Sequence, residues 1–272
     1  MDQYRVFGNP IKQSRSPYIH QQFALATNQE LFYQAELIPL DQFAARIEEF
    51  VNSGGKGANI TVPFKEQAKE LCDELSERAR LAGAVNTLSF SQGKTIGDNT
   101  DGLGMVQDLL DHGVVLKGAK VLLLGAGGAA RGVILPLLEQ GVEKIVIANR
   151  TQSKAELLCN QFDDNSLSHS SYQEAGNACY DVIINATSAS LSGSVPAISE
   201  SAIAENTVCY DMVYGKEMTP FLVWAKNAGA DLVIDGLGML VGQAAESFAI
   251  WRGVRPEVAP VLEQLRNQLA AE

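Results

Sequence analysis

Four polar constellations in the N-terminal half hold side chains able to do chemistry, and each stands near a strand end or a helix start. In Asn59-Ile60-Thr61-Val62-Pro63-Phe64-Lys65, Asn59 and Thr61 alternate with apolar neighbours and so face one side of a sheet. Lys65 falls in the first turn of a helix whose apolar face is Phe64, Ala68 and Leu71. The helix dipole disfavours a cation there by ~0.3–1 kcal/mol. A proton-transfer group and a solvated surface lysine both fit that position. In Ser14-Arg15-Ser16-Pro17, Ser16 reads as an N-cap followed by proline at the first helical position. Two hydroxyls at a helix start equally suit a carboxylate ligand, and the two readings are compatible. Gly97-Asp98-Asn99-Thr100-Asp101-Gly102 is a turn-rich run with two carboxylates, which reads as an Asx turn capping a helix that begins near Leu103. A metal site would need further ligands, and none cluster here. Asn86, just before a strand, adds an amide.

The second half carries a nucleotide signature. In VLLLGAGGAARGVILPLL, Gly125, Gly127 and Ala130 have G-x-G-x-x-A spacing between a buried strand and a helix. The first glycine permits a tight turn, the second lets backbone approach a pyrophosphate, and the small third residue lets helix and strand pack closely. The next strand ends in Ala148-Asn149-Arg150-Thr151, with Lys154 one turn further on. An NAD-binding unit places a carboxylate there to hold the ribose 2′-hydroxyl. Here a guanidinium, a hydroxyl and an ammonium stand instead, suited to a 2′-phosphate. The run reads as NADP-binding.

The elements that position these residues alternate between strand and helix, as in α/β architecture with parallel strands. Strands are expected at 4–7, 32–38 and 58–62, helices at 17–26 and 41–51, and a hairpin joins 87–90 to 94–96 through Gln92-Gly93. After Gly118 come strands at 120–124, 144–148, 181–185, 207–210 and 231–234. The polar segment 161–177 has no assignable pattern. Helices at 236–251 and 256–270 close the chain. At ~100–200 residues per domain, 272 residues imply two domains.

Composition narrows the function class. Net charge is −11, with 21 basic and 32 acidic residues, and no basic cluster offers the face that nucleic acid requires. No apolar stretch reaches the ~20 residues of a membrane span. The start, MDQYRVFGNP, lacks the pattern of a secretory leader, so a cytoplasmic location is expected. Cys72, Cys159, Cys179 and Cys209 form no C-x-x-C pair, which points to reduced thiols. His20, His112 and His169 are scattered and read as structural or exposed, with His112 before Gly113 at a helix end.

The runs SRSP, NITVPFK, AGAVNTL, GDNTDG, GAGGAA, NRT, NATS, YDMVYGKEMTPF and DGLGMLVGQAAESF resemble those of the shikimate dehydrogenases, in the family's order and across nearly the whole chain. The resemblance implies reversible, NADPH-dependent reduction of 3-dehydroshikimate to shikimate, a step of aromatic amino-acid biosynthesis. It makes Lys65 and Asp101 the catalytic pair. Ser14, Ser16, Thr61, Asn86, Tyr214 and Gln243 would line the substrate pocket, with Asn59 nearby. Gly125, Ala126, Gly127, Gly128 and Ala129 would cradle the pyrophosphate, and Asn149, Arg150, Thr151 and Lys154 the 2′-phosphate. Ala186, Thr187, Ser188, Met212, Gly236 and Met239 would follow the ribose and nicotinamide, and Glu77 would approach the cofactor. The implied fold is an N-terminal α/β substrate domain, 1–101, completed by the helices of 236–272, and a Rossmann-like doubly wound domain, 102–235, with the active site in the cleft between them. The active form would be a monomer or homodimer. One position departs from the family: after Ala189, where glycine is frequent, stands Ser190. The competing readings are a broader quinate/shikimate dehydrogenase, against whose use of NAD the run Asn149-Arg150-Thr151 speaks, and a metabolite-sensing regulator without turnover, against which the presence of Lys65 and Asp101 speaks.

Overall fold

The computed structural model describes residues 1–272. The chain forms two compact units, Met1–Gly104 with Val241–Gln264, and Met105–Leu240 with Leu265–Glu272.

In the first unit the chain runs β1 (Asp2–Gly8), α1 (Ser16–Ala26), β2 (Leu31–Leu37), α2 (Phe43–Asn52), β3 (Gly57–Ile60), α3 (Lys65–Glu70), β4 (Glu74–Leu75), α4 (Glu77–Ala82), β5 (Thr87–Ser91) and β6 (Lys94–Asp98). The sheet order is β2-β1-β3-β5-β6-β4. β1, β2 and β3 are parallel, and β5 runs antiparallel to both β3 and β6. The β5–β6 hairpin turns at Gln92 and Gly93, with φ of 52° and 73°. That double positive φ matches the twist of the paired strands. Phe7, Ile38, Phe43, Ile47, Phe50, Ile60, Phe64 and Leu88 form the core on one face, with Phe43 stacked on Phe64 at 4.7 Å. On the other lie Tyr4, Val6, Ile11 and Tyr33 with Trp251 packed against them.

α5 (Asp101–Asp111) leads into the second unit, whose elements are β7 (Lys120–Leu124), α6 (Gly128–Glu139), β8 (Lys144–Ala148), α7 (Gln152–Phe162), β9 (Leu167–Ser170), α8 (Tyr172–Ala175), β10 (Tyr180–Asn185), β11 (Ile203–Asp211), α9 (Pro220–Asn227) and β12 (Leu232–Asp235). All strands are parallel, in the order β12-β11-β10-β7-β8-β9. Read from the other edge, this is the 3-2-1-4-5-6 order of the dinucleotide fold, with its switch point between the first and fourth strands, β7 and β10. Val121 and Leu123 face one core while Leu122 and Leu124 face the other, which is why this strand is continuously apolar. α10 (Leu237–Arg252) and α11 (Ala259–Ala271) close the chain. No helix is long and apolar enough to cross a membrane.

Four expectations change. The segment 161–177 contains β9 and α8, the helix held by a capping box between Ser171 and Glu174. The helix expected near Leu103 begins at Asp101, because Asn99 Oδ1 accepts from the Asp101 N–H at 3.2 Å. Ser16 is the first residue of α1 and caps nothing; Ser14 Oγ instead accepts from the Ser16 N–H at 3.3 Å. Residues 265–272, expected with the first unit, pack with the second. There Leu265 is buried, and Arg266 grips both oxygens of Asp235 at 2.6 Å.

Candidate active site

Asn59, Lys65, Asn86 and Asp101 meet in the first unit, and Thr61 lies in the turn between the first two. β3 delivers Asn59, the turn after it Thr61, and the first position of α3 Lys65. β5 begins one residue after Asn86, and α5 begins with Asp101. Lys65 Nζ donates to Asp101 Oδ2 at 2.5 Å. The other Asp101 oxygen accepts from Asn86 Nδ2 at 2.8 Å. Lys65 and Asp101 are 31% and 18% exposed, so the pair is reachable by a small molecule yet held in place from behind. Asn86 is buried and doubly anchored: its Oδ1 accepts from the Thr100 N–H at 2.9 Å, and its Nδ2 also reaches Thr100 Oγ1 at 2.9 Å and Gln243 Oε1 at 3.4 Å.

Behind these groups runs a buried polar network that sequence alone does not reveal. Asn59 Nδ2 donates to Ser247 Oγ at 2.9 Å and Thr87 Oγ1 at 3.2 Å. Asn59 Oδ1 accepts from the Tyr33 hydroxyl at 2.7 Å. Burial pushes the Tyr33 hydroxyl well above the usual tyrosine range, an effect opposed by its hydrogen bond with Ser16. Tyr33 therefore ties two candidate substrate residues, Ser16 and Asn59, to one buried ring. Thr61 lies over Gly8, where an added Cβ would stand 2.4 Å from Thr61 Cγ2.

The two carboxylates of the run 97–102 divide their labour. Asp98 is gripped by Arg78 at 2.7 and 2.6 Å and by Ser76 Oγ at 2.5 Å, a bidentate structural clamp. Only Asp101 pairs with Lys65. Glu77 is exposed beside Arg80, and nothing in the first unit joins it to this cluster.

In the second unit β7 leads into Gly125, at φ +111°, a conformation that favours glycine. Its N–H donates to the Ala148 carbonyl at 2.8 Å. Ala130 is fully buried beneath the loop. Gly127 and Gly128 differ: a Cβ on either meets nothing within 4 Å, and α6 starts without a side-chain cap. The space above the loop and the free N–H groups of the first turn fit a pyrophosphate. Ala126 and Ala129 complete the loop.

At the end of β8, Asn149 Nδ2 donates to the Thr151 carbonyl at 2.9 Å. Thr151 is the N-cap of α7 but makes no side-chain cap bond. Arg150, Thr151 and Lys154 are all exposed, so two cations and a hydroxyl stand open to solvent at the end of β8. At the ends of β10 to β12, the Met212 N–H donates to the Asn185 carbonyl at 3.1 Å and the Gly236 N–H to the Val213 carbonyl at 3.2 Å. Gly236 lies so close to Met212 that a Cβ would stand 2.2 Å from the Met212 carbonyl oxygen. Ala186, Met212 and Met239 pack against one core. A Cβ on Gly125 would stand 3.2 Å from the Ala186 carbonyl oxygen and from Thr187 Cγ2. The glycine loop and the strand-end residues thus adjoin at the switch point, where ligands of this fold bind. Ser188 follows Thr187 and precedes a short 3₁₀ turn. Tyr214 belongs to the second unit and Gln243 to the first.

Ser190 has a clear role. Asp211 is fully buried, and burial raises its pKa against the pull of its hydrogen-bond donors. Ser190 Oγ donates to Asp211 Oδ2 at 2.6 Å, Thr219 Oγ1 to the same oxygen at 2.6 Å, and Asn185 Nδ2 to Oδ1 at 3.1 Å. Ser190→Gly is expected to cost about 1–3 kcal/mol of stability, as a donor is taken from a buried carboxylate. Denaturant unfolding of the two proteins checks this.

Comparison with known proteins agrees with this geometry. Residues 6–88 match the family model described as shikimate dehydrogenase substrate binding domain, 107–207 that of shikimate/quinate 5-dehydrogenase, and 236–266 that of the shikimate 5′-dehydrogenase C-terminal domain. The chain is 62% identical over 268 residues to a shikimate dehydrogenase (NADP(+)) of Colwellia psychrerythraea, covering 98% of each. It is 59% identical to that of Shewanella halifaxensis, covering 98% of this chain and 96% of the other. Among solved structures, an Ael1 enzyme from Pseudomonas putida superposes with a TM-score of 0.95 at 46% identity, over 97% of this chain and 98% of the other. A Thermus thermophilus shikimate 5-dehydrogenase in complex with NADP(H) and shikimate gives 0.88 at 33% identity, over 99% and 100%. With family models matched along its length and a relative 62% identical over nearly the whole chain, the chain belongs to the shikimate dehydrogenase family.

Proposed function

We propose that this protein catalyses the reversible, NADPH-dependent reduction of 3-dehydroshikimate to shikimate. The observation that carries the proposal is the Lys65 ammonium held 2.5 Å from Asp101, itself fixed by Asn86. Bound NADPH supplies the hydride. As the substrate ketone carbon accepts it, the carbonyl electron pair moves onto oxygen, and the Lys65 ammonium stabilises that charge and gives up a proton to it. The neutral amine regains its proton from solvent. In the oxidative direction the amine takes the hydroxyl proton as hydride leaves. Asp101 holds the ammonium in place and accepts from a neighbouring substrate hydroxyl. Ser14 and Ser16, at the start of α1, receive the substrate carboxylate, and Thr61, Asn86, Tyr214 and Gln243 its hydroxyls. Asn149, Arg150, Thr151 and Lys154 hold the 2′-phosphate, and the loop 125–129 holds the pyrophosphate.

The test follows absorbance of the reduced cofactor while the purified protein oxidises shikimate, with NADP and NAD in parallel and quinate as second substrate. Turnover with shikimate and NADP is expected. Equal rates with NAD or quinate would favour the broader dehydrogenase, and binding without turnover a sensor. Arg150→Ala is expected to raise the KM for NADP about 10- to 100-fold, the loss of charge-assisted hydrogen bonds to a phosphate, and to leave the KM for NAD within about twofold. Steady-state kinetics with each cofactor check it.

A further inference from the structure

Asp108 and Tyr210 form a buried ionisable pair that the proton transfer does not use. Asp108 lies two turns into α5 and is 5% exposed, and Tyr210, on β11, is fully buried. The Tyr210 hydroxyl donates to Asp108 Oδ2 at 2.7 Å, while the Met239 backbone N–H donates to that hydroxyl. The Asp108 carboxylate is pressed against the turn at the start of α10: a Cβ on Gly238 would stand 2.0 Å from Asp108 Oδ1 and 2.4 Å from Oδ2. The same turn is fixed from its other side by Asp235, whose Oδ1 accepts from the Leu237 N–H at 3.2 Å, with Arg266 holding both Asp235 oxygens. His112, one turn further along α5, places Nδ1 2.8 Å from the Asp108 carbonyl and 3.3 Å from Oδ1.

A carboxylate in such a place is costly to keep, because desolvation disfavours its charge. Burial raises the pKa of Asp108, and the Tyr210 hydroxyl and His112 oppose that rise. An apolar side chain would fill the space without this cost. What only the pair supplies is a directed hydrogen-bond chain, Asp108 to Tyr210 to the Met239 amide, ending on the segment that also contains Gly236. That segment lies against Met212.

We infer that Asp108 and Tyr210 are positioning residues that set the Gly236–Met239 turn at the nicotinamide end of the cofactor site. The inference rests on the reading of Gly236 and Met239 as nicotinamide-side residues. It makes a prediction that a merely structural pair would not. The adenosine end is built on α6 and the end of β8, so loosening the turn weakens the nicotinamide half of the cofactor alone.

The experiment titrates wild type and Tyr210→Phe with NADP and with 2′,5′-ADP, which carries the phosphates and adenosine but no nicotinamide. Thermal melting reports whether each protein is folded. We expect Tyr210→Phe to bind NADP about tenfold more weakly, the loss of one buried hydrogen bond, with the affinity for 2′,5′-ADP and the KM for shikimate within about twofold. Asp108→Ala, which removes the acceptor, is expected to show the same split and serves if Tyr210→Phe does not fold. Equal weakening of both nucleotides, or of neither, overturns the inference while leaving the cofactor site standing. Failure of wild type to bind either nucleotide overturns the cofactor reading itself, and the inference with it.

Discussion

Lys65→Ala is expected to lower kcat about 10²–10⁴-fold, the usual contribution of a positioned general acid, while the KM for shikimate changes by no more than about threefold. The reason is geometric. Lys65 Nζ spends its contact with the protein on one oxygen of Asp101, and Asp101 is independently held by Asn86. Removing the ammonium therefore leaves the pocket in place and deletes the group that, in the proposed mechanism, stabilises the developing alkoxide. An interaction made chiefly in the transition state appears in kcat, and uniform binding appears in KM. Steady-state kinetics on a variant with an unchanged melting temperature decide the matter. A change confined to KM would make Lys65 a substrate anchor and leave proton transfer to another group.

The second large effect is on stability in acid. His20 is fully buried on α1, stacked on Tyr33 at 4.2 Å and flanked by Phe23, Phe248 and Trp251. Neither ring nitrogen has a partner at hydrogen-bond geometry, and the polar contact with Asn59 opposes the effect of burial only in part. Burial pushes its pKa down to about 3, against about 6.5 in the unfolded chain. Above pH 6.5 both states are neutral and the group has no effect on the balance. Below it, the unfolded chain takes up a proton that the folded ring refuses, so stability falls as pH falls, by about 1.4 kcal/mol per pH unit from this residue until pH reaches about 3. His20→Leu keeps an apolar body in the nest and removes the titration. Its unfolding free energy between pH 6 and pH 4 is expected to decline less steeply than that of wild type by about 1 kcal/mol per unit. Parallel slopes would show that the ring is protonated, or solvated, in the folded protein.

The second unit was legible because its physics is local. Strands buried on both faces read as unbroken apolar runs, and the glycine loop follows the first of them directly. β9 escaped because it lies at the sheet edge and reads Leu-Ser-His-Ser, with no alternation to mark a face. The candidate site was legible as an inventory, but its pairings were not. Lys65 and Asp101 are 36 residues apart, and only family resemblance joined them before the fold did. Asp98 and Asp101 are the same residue type within one turn. What separates them is Arg78, on a short helix that no sequence pattern announced. Ser16 reads as the cap because a serine before proline is a strong signal, while the backbone enters the helix one residue earlier, at Arg15. His20, Thr87 and Ser247 showed nothing in sequence, since burial of a lone polar residue depends on partners brought from distant parts of the chain.

The glycines of the loop after β7 are held by different physical constraints. Gly125 is required by the chain itself, through its positive φ and the backbone of Ala186 beside it. Gly127 and Gly128 face open space, and the protein has no steric use for their missing side chains. A library of variants sorted by cellular abundance would therefore reject substitutions at Gly125 and pass many at Gly127 and Gly128. The same library, sorted by growth that depends on the enzyme, would reject all three. The gap between the two scores at one residue reports whether that residue was kept for the fold or for the molecule it holds.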